Sequence, residues 1–199
     1  YAVFQRRLSR LLNLARQSQP LLKNWREEGI GAKERPSRSE IRAQIESDAS
    51  PFYAEELAWI YNEMGLSAYC RGELPEAHSL FKLGRDMNRV VEHDFKGHRW
   101  CHSEINLAAV QIEWANLPRS KEHLSRAIRI AKDLDDLDLL HRAYEYLGLA
   151  YHLEGDHEHA LEMYNDALKH ATKVRDLRAT STILRRRGDL YRFLGKRDK

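Results

Sequence analysis

Apolar residues recur along the chain at the three- and four-residue spacing of amphipathic helices, in blocks that short polar segments separate. From Pro51 onward the pattern predicts a helix, a short turn and a second helix, three times over, followed by a fourth first helix. The predicted turns within the hairpins cover residues 71–74, 114–117 and 154–156. Pro75 and Pro118 stand at the start of a second helix, where proline removes no intrahelical hydrogen bond. The pattern therefore predicts an all-α chain.

A small residue recurs in the middle of each predicted first helix. It stands at Gly65, Ala108, Gly148 and Gly188, so the copies are 43, 40 and 40 residues apart. Glycine in a helix interior costs about 1 kcal/mol relative to alanine, so a recurring one indicates a close helix contact. Matching small residues follow twelve positions later, at Ala77, Ser120 and Ala160. Small residues that face each other let two antiparallel helices cross closely, and the glycines are expected between paired helices.

Repetition at a fixed period is typical of a solenoid of stacked units. Large side chains flank each predicted crossing, at Tyr61, Phe81, Leu124, Tyr144 and Tyr164. A single hairpin cannot bury these side chains by itself, so successive hairpins are expected to stack on one another.

The repeated residues resemble the tetratricopeptide repeat family. The match is clearest in the third copy, at Tyr144, Leu147, Gly148, Tyr151, Gly155, Asp156, Ala160, Tyr164 and Ala167. The second copy departs from the family at Glu104 and Gln111, where aromatic residues are usual. The family period is about 34 residues, so the longer period here predicts extended helices, similar to the arrays in bacterial signalling ATPases and kinesin light chains. The resemblance implies a right-handed superhelical array of antiparallel helix hairpins, a TPR-like α-solenoid.

The chain is predicted to divide into two parts. Residues 1–50 are expected to form an N-terminal helical capping segment, with a loop near residues 28–39 that is rich in glycine, proline and charge. Residues 51–199 are expected to form the array. Its repeats are predicted at about 54–96, 97–136 and 137–176, with a truncated copy at 177–199. Both ends are expected to be boundaries within a longer protein.

In arrays of this family the first helix of each hairpin lines the concave face, which implies a groove for a protein or peptide ligand. The candidate ligand-binding residues that follow from the resemblance are Trp59, Asn62, Leu66, Tyr69, His102, Ile105, Arg142, Glu145, His152, Arg185 and Arg192. The same positions also include Ala109, Ile112, Leu149, Thr182 and Asp189.

This predicted groove is half apolar at one end and basic at the other, which suits an amphipathic helix or an extended peptide with an acidic end. An alternative interpretation is that Leu66, Ile105 and Ile112 are buried between repeats. The carboxylate-clamp pattern of paired lysines and asparagines that the family uses is absent, so a chaperone C-terminal tail is not the expected ligand.

The net charge of +3 is mild and argues against a dedicated nucleic-acid-binding protein, although it allows a local basic face. The last predicted helix is the most basic part, with Arg185, Arg186, Arg187, Arg192, Lys196 and Arg197. Consecutive arginines fan around a helix, so they cannot all face one groove. Two alternatives stay open. One is nucleic-acid binding through this helix and the arginine-rich first helix, and the other is self-association through an apolar edge at Leu190, Tyr191 and Phe193.

The sequence offers little for catalysis. Cys70 and Cys101 are expected to be reduced thiols, which suits a cytoplasmic protein. His98 and His102 are four residues apart and could share a helical face as metal ligands, but no second pair completes a site. No phosphate loop, nucleophile elbow or catalytic Cys/His pair occurs, and no apolar run approaches the roughly 18 residues of a membrane span. The sequence predicts no enzyme, no cofactor and no metal.

The function predicted from these features is that of a non-catalytic scaffold or sensor module in a larger signalling or regulatory protein. Its ligand would be a protein or peptide, which includes the rest of its own polypeptide. Homo-oligomer formation is a further option, nucleic acid is less favoured, and no membrane contact is expected.

Overall fold

The computed structural model describes residues 51–90 and 96–195. This part of the chain contains seven α-helices and no strand, which confirms the all-α prediction for it. The helices are α1 (Pro51–Cys70), α2 (Leu74–Val90), α3 (Lys96–Glu113), α4 (Leu117–Asp133), α5 (Leu137–Glu154), α6 (His157–Val174) and α7 (Leu177–Phe193). The predicted capping segment at 1–50, with its loop near 28–39, lies outside the described residues, as do Lys196 and Arg197.

The four junctions from α3 to α7 share one local design. In each turn, the residue just before the N-cap of the next helix has a positive φ. These residues are Ala115, Asp135, Gly155 and Arg175. An Asn or Asp follows each of them and accepts a hydrogen bond from a backbone N–H three residues later, at Asn116, Asp136, Asp156 and Asp176. Such a side chain satisfies one of the free N–H groups at a helix start. The short turns therefore end one helix and begin the next at a fixed residue.

Two of the recurring glycines lie in close contact with the facing helix. A Cβ added to Gly65 would lie 2.5 Å from Cε1 of Phe81, and one added to Gly148 would lie 2.6 Å from Cδ1 of Tyr164. The contact differs in one respect from the prediction, because an aromatic ring rather than a small residue covers each glycine. Ala77 and Ala160 are still fully buried beside these rings.

Gly188 does not follow this pattern, and the prediction for it was wrong. It is exposed, and a Cβ added there would meet no atom within 4 Å. In the other copies the covering ring belongs to the second helix of the hairpin. No such helix follows α7 among the described residues, so nothing covers Gly188 in this part of the chain.

The hairpins stack into one continuous array. Each helix packs against the next one along the chain, from α1 through α7. Leu107 and Val110 of α3 join the core of the first hairpin, and Ile183 and Leu190 of α7 join the core of the second and third hairpins. Because these residues bury their side chains against the preceding hairpin, the described part of the chain is an all-α helical-repeat solenoid.

The departure from the family pattern at Glu104 is a buried polar contact. The Glu104 side chain is only 1% exposed, its Oε2 lies 2.6 Å from Nδ1 of His123, and Nε1 of Trp100 donates to its Oε1 at 3.1 Å. Burial acts to raise the pKa of Glu104, but the hydrogen bonds from His123 and Trp100, and the electrostatic influence of His123 and Arg126, bring it below its ordinary value. A carboxylate bridge between α3 and α4 therefore replaces the usual aromatic residue.

Candidate binding surface on the inner face

The first helices of successive hairpins contact one another directly, α1 with α3, α3 with α5 and α5 with α7. Among the described helices, the second helices α2, α4 and α6 make no comparable contacts with each other. The first helices therefore form one layer of the stack, the layer that the sequence predicts to line its concave side. We call the surface that α1, α3, α5 and α7 expose there the inner face.

Asn62 and Ile105 are structural residues, which corrects the prediction that they contact a ligand. Asn62 is 5% exposed, and its Nδ2 donates to the Ala58 carbonyl oxygen and to Ser103 Oγ, both at 2.9 Å. Asn106 Nδ2 donates to Asn62 Oδ1 at 3.3 Å. Ile105 is fully buried. The contact between α1 and α3 covers both side chains, so we remove them from the set of ligand-binding candidates.

The α1 end of the inner face presents two large apolar side chains. Trp59 is 46% exposed and Leu66 is 36% exposed, so Leu66 is not the buried residue that the alternative interpretation required. Ile112 fits that alternative, because it is buried along with Ala109. Tyr69 lies beside them, and its hydroxyl donates to Glu113 Oε1 at 2.9 Å. Burial and the Glu113 carboxylate raise the pKa of Tyr69.

His102 and Arg142 meet in the middle of the inner face, where α3 contacts α5. Nη1 of Arg142 lies 2.9 Å from Nδ1 of His102. Burial and the adjacent Arg142 charge lower the pKa of His102 to about 4, so its ring is neutral near pH 7. A neutral imidazole can accept a hydrogen bond at Nδ1, so Arg142 is the donor and His102 the acceptor. Both side chains are half-buried.

Charge pairs occupy the α7 end. Nε of Arg186 donates to Glu145 Oε1 at 3.1 Å and joins α7 to α5, while Arg192 pairs with Asp189 along α7. Glu145 is therefore bound to a neighbouring repeat, and its carboxylate is already neutralised. Arg185 is exposed and makes no ion pair with any described residue. The α7 end, which the sequence predicts to be basic, therefore carries less net positive charge than the number of its arginines suggests.

Tyr146, Glu113 and Arg186 also line the inner face, although the resemblance did not assign them. The Tyr146 hydroxyl is under the influence of Glu145, Arg142, Arg186 and Glu113, and burial raises its pKa. Each contact between first helices joins residues 40 to 44 positions apart. That interval lies within one residue of the repeat period, so a search for polar residues about one period apart would have found Glu113 and Arg186.

The remaining predicted positions lie on the same four helices. Leu149 and His152 of α5 are half-buried, and the His152 ring meets the His157 ring edge-on at 5.9 Å between centroids. Burial lowers the pKa of His152. Thr182 Oγ1 donates to the Arg178 carbonyl oxygen of its own helix at 3.0 Å. Apart from Asn62 and Ile105, the assigned residues stay predictions for ligand contact.

The His98–His102 pair is not arranged around a common ligand. The two ring centroids are 4.8 Å apart, but Nε2 of His98 lies 3.0 Å from Asp136 Oδ2, and Arg142 occupies Nδ1 of His102. Within residues 51–90 and 96–195, no group of three or more potential ligands is placed to hold a metal ion. Burial raises the pKa of the free Cys101 thiol to about 12, so that thiol is un-ionised at neutral pH.

The apolar edge predicted for self-association has a different composition. Leu190 is fully buried against the preceding hairpin, which corrects its assignment to that edge. Tyr191 is half-buried, and Phe193 is 72% exposed with its ring against His157 at 4.8 Å. Leu184 and Gly188 are exposed on the same helix. Of the described helices, none is long and apolar enough to cross a lipid bilayer.

The fold and the repeat frame agree with comparisons to known proteins. Residues 139–199 match the tetratricopeptide repeat family. The structure of BtubC (BKLC) from P. vanneervenii is similar, with a TM-score of 0.66 and 18% identity over 96% of this chain and 79% of that one. The C-terminal TPR-containing domain of a Plasmodium falciparum FK506-binding protein is similar at a TM-score of 0.52, with 20% identity over 73% of this chain and 98% of that domain. A comparison with curated proteins gave no match.

These findings define a class of protein. The described chain is a helical-repeat solenoid, and its segment 139–199 matches the tetratricopeptide repeat family. At 18% and 20% identity the two structures establish the shared fold alone. Repeats of this family generally mediate contacts between proteins.

Proposed function

We propose that this array is a non-catalytic binding module that holds a protein or peptide along its inner face. The observation that carries the proposal is the division of that face, with exposed Trp59 and Leu66 on α1 and the exposed Arg185 on α7. A segment with an apolar part and an acidic part complements this arrangement. By resemblance, the module would act as a scaffold or sensor within a larger signalling or regulatory protein.

Nucleic-acid binding has less support. Affinity for a phosphate backbone comes from several cations that face it without local counter-charges. On α7, Arg186 and Arg192 already pair with Glu145 and Asp189. The argument for nucleic acid therefore depends on Arg178, Arg185 and Arg187, which make no ion pair with a described residue, and on residues outside the described part of the chain.

The proposal can be tested with peptides selected from a displayed random 12-residue library on the immobilised 199-residue chain. We expect the tightest selected peptide to lose binding to Leu149→Glu, because that change puts a charge in the middle of the inner face. The matched control is Asn165→Glu, which adds the same charge at an exposed position of α6. Equal loss in both variants, or no selected peptide at all, would contradict the proposal.

A further inference from the structure

Arg142 differs from the other inner-face arginines that make contacts. Arg186 pairs with Glu145, and Arg192 pairs with Asp189. The Arg142 guanidinium meets a neutral imidazole instead, and no carboxylate of a described residue lies within ion-pair distance of it. No described residue therefore neutralises its charge, although the side chain is half-buried. A half-buried cation without an anion keeps a desolvation cost that a bound anion would offset.

The contact with His102 also fixes the direction of the guanidinium. His102 is held between α3 and α5, and its Nδ1 takes up one N–H of Arg142. A guanidinium has five N–H donors in one plane, so four remain for other acceptors. Tyr146 follows Arg142 by four residues and lies on the same face of α5. Its hydroxyl makes no hydrogen bond to a described residue, yet it lies within the field of the Arg142 charge.

We propose that Arg142, oriented by His102 and assisted by the Tyr146 hydroxyl, is the binding site for one aspartate or glutamate side chain of the protein or peptide on the inner face. This inference rests on the proposed function, because the acidic side chain is supplied by the ligand of that face. Arginine suits a carboxylate because two parallel N–H groups can reach its two oxygens.

The surroundings favour a single carboxylate over a phosphate group. Glu113 carries a negative charge that acts on the Tyr146 hydroxyl, whereas the charge of Glu145 is paired with Arg186. The Glu113 charge would repel a dianion more strongly than a monoanion. The inner face also continues past Arg142 in both directions, towards Leu66 on α1 and Arg185 on α7. An acidic side chain in the middle of a bound peptide therefore fits this site better than the carboxylate at the peptide's C-terminus.

The test is a selection from a library of random 12-residue peptides that are fused at their C-terminus, so that no free terminal carboxylate is offered. On the wild-type chain we expect an Asp or Glu at one aligned position of the selected peptides, well above its frequency in the starting library. On Arg142→Gln we expect that preference to disappear and the best peptide to bind at least about tenfold more weakly. Arg142→Lys should keep the acidic preference with reduced affinity, because it keeps the charge and loses the planar fork.

Arg129→Gln is the matched control, since it removes the same charge from an exposed position on α4. It should leave both the preference and the affinity unchanged, and a thermal melt should show that every variant is folded. Selected peptides without an acidic preference, or a preference that survives Arg142→Gln, would overturn this inference and leave the proposed function in place. Selection of no peptide by the wild type would overturn both.

Discussion

The ring of Tyr164 lies on Gly148 at a distance that leaves no space for a side chain. A Cβ on residue 148 would be 2.6 Å from Cδ1 of that ring, and Tyr164 is itself fully buried. Phe81 stands in the same relation to Gly65 two repeat periods earlier in the array. The missing side chain at each glycine is therefore what allows the two helices of a hairpin to pack closely.

We expect Gly148→Leu to lower the free energy of unfolding by about 3 kcal/mol or more, because the new side chain forces α5 and α6 apart. Gly188→Leu is the matched control. It places the same side chain at an open position and should stabilise the chain by up to about 1 kcal/mol through its helix propensity. Urea unfolding followed by circular dichroism measures both. Equal effects of the two changes would show that the ring contact does not control the packing.

The crossings could be predicted from the sequence, because a glycine in a helix interior has few explanations other than close packing. Gly65 and Gly148 were assigned correctly on this ground. Gly188 was not, since its environment depends on a covering helix that repetition alone does not supply. The ring contacts were also missed, because the spacing shows which residues face each other but not which side chain extends over the glycine.

The binding surface was less predictable. The helical period assigns residues to a face but does not say how closely the next first helix approaches it. That approach buries Asn62 and Ile105, while Trp59 and Leu66 at neighbouring positions of the same pattern stay exposed. Tyr146 was missed because it stands one residue beyond the assigned Glu145. Its proposed role follows from its position one helical turn after Arg142, whose place on the inner face only the structure shows.

The buried Glu104–His123 contact gives a prediction for stability. Glu104→Gln removes the carboxylate and weakens its hydrogen bonds, so it should cost about 1–3 kcal/mol. Glu162→Gln, at an exposed position on α6, should change stability by less than about 0.5 kcal/mol. Chemical unfolding at pH 7 provides the comparison. A cost for Glu104→Gln no larger than that for Glu162→Gln would show that the contact contributes nothing.

The same residue predicts a dependence on acid. The folded pKa of Glu104 lies below its ordinary value of 4.5, so its stabilising contribution is complete above pH 4.5. That contribution is lost as the pH falls through the lower, folded pKa. The unfolding free energy of the wild type should therefore fall below pH 4.5 more steeply than that of Glu104→Gln. Parallel pH profiles for the two proteins would count against the assignment.

His102 predicts a second, separate pH effect. Its folded pKa is about 4, well under the ordinary value of 6.5, so below pH 6.5 the unfolded chain binds a proton that the folded chain excludes. Stability should decrease as the pH falls from 6.5 towards 4, and His102→Gln should reduce that decrease. Nitrogen-15 shifts of the imidazole provide a direct measurement. A His102 ring that is half-protonated near pH 6.5 would disprove the neutral acceptor role.

Asn62 should matter for stability and not for recognition. Asn62→Ala removes the hydrogen bonds to Ser103, Asn106 and the Ala58 carbonyl oxygen, and leaves polar groups of α3 without these partners. We expect a loss of about 1–3 kcal/mol. Asn165→Ala on the exposed surface of α6 should be close to neutral. If Asn62→Ala instead kept full stability and lost peptide binding, its placement in the core would be wrong.

The central claim is that ligands lie on the inner face, where the first helices contact one another. The most direct measurement uses a selected 12-residue peptide with a nitroxide label and records methyl signals of the array by NMR. We predict strong broadening of Leu66 and Leu149, which lie on the inner face, and little effect on Ile128 and Leu161 of the second helices α4 and α6. Broadening of Ile128 and Leu161, with Leu149 unaffected, would contradict the account.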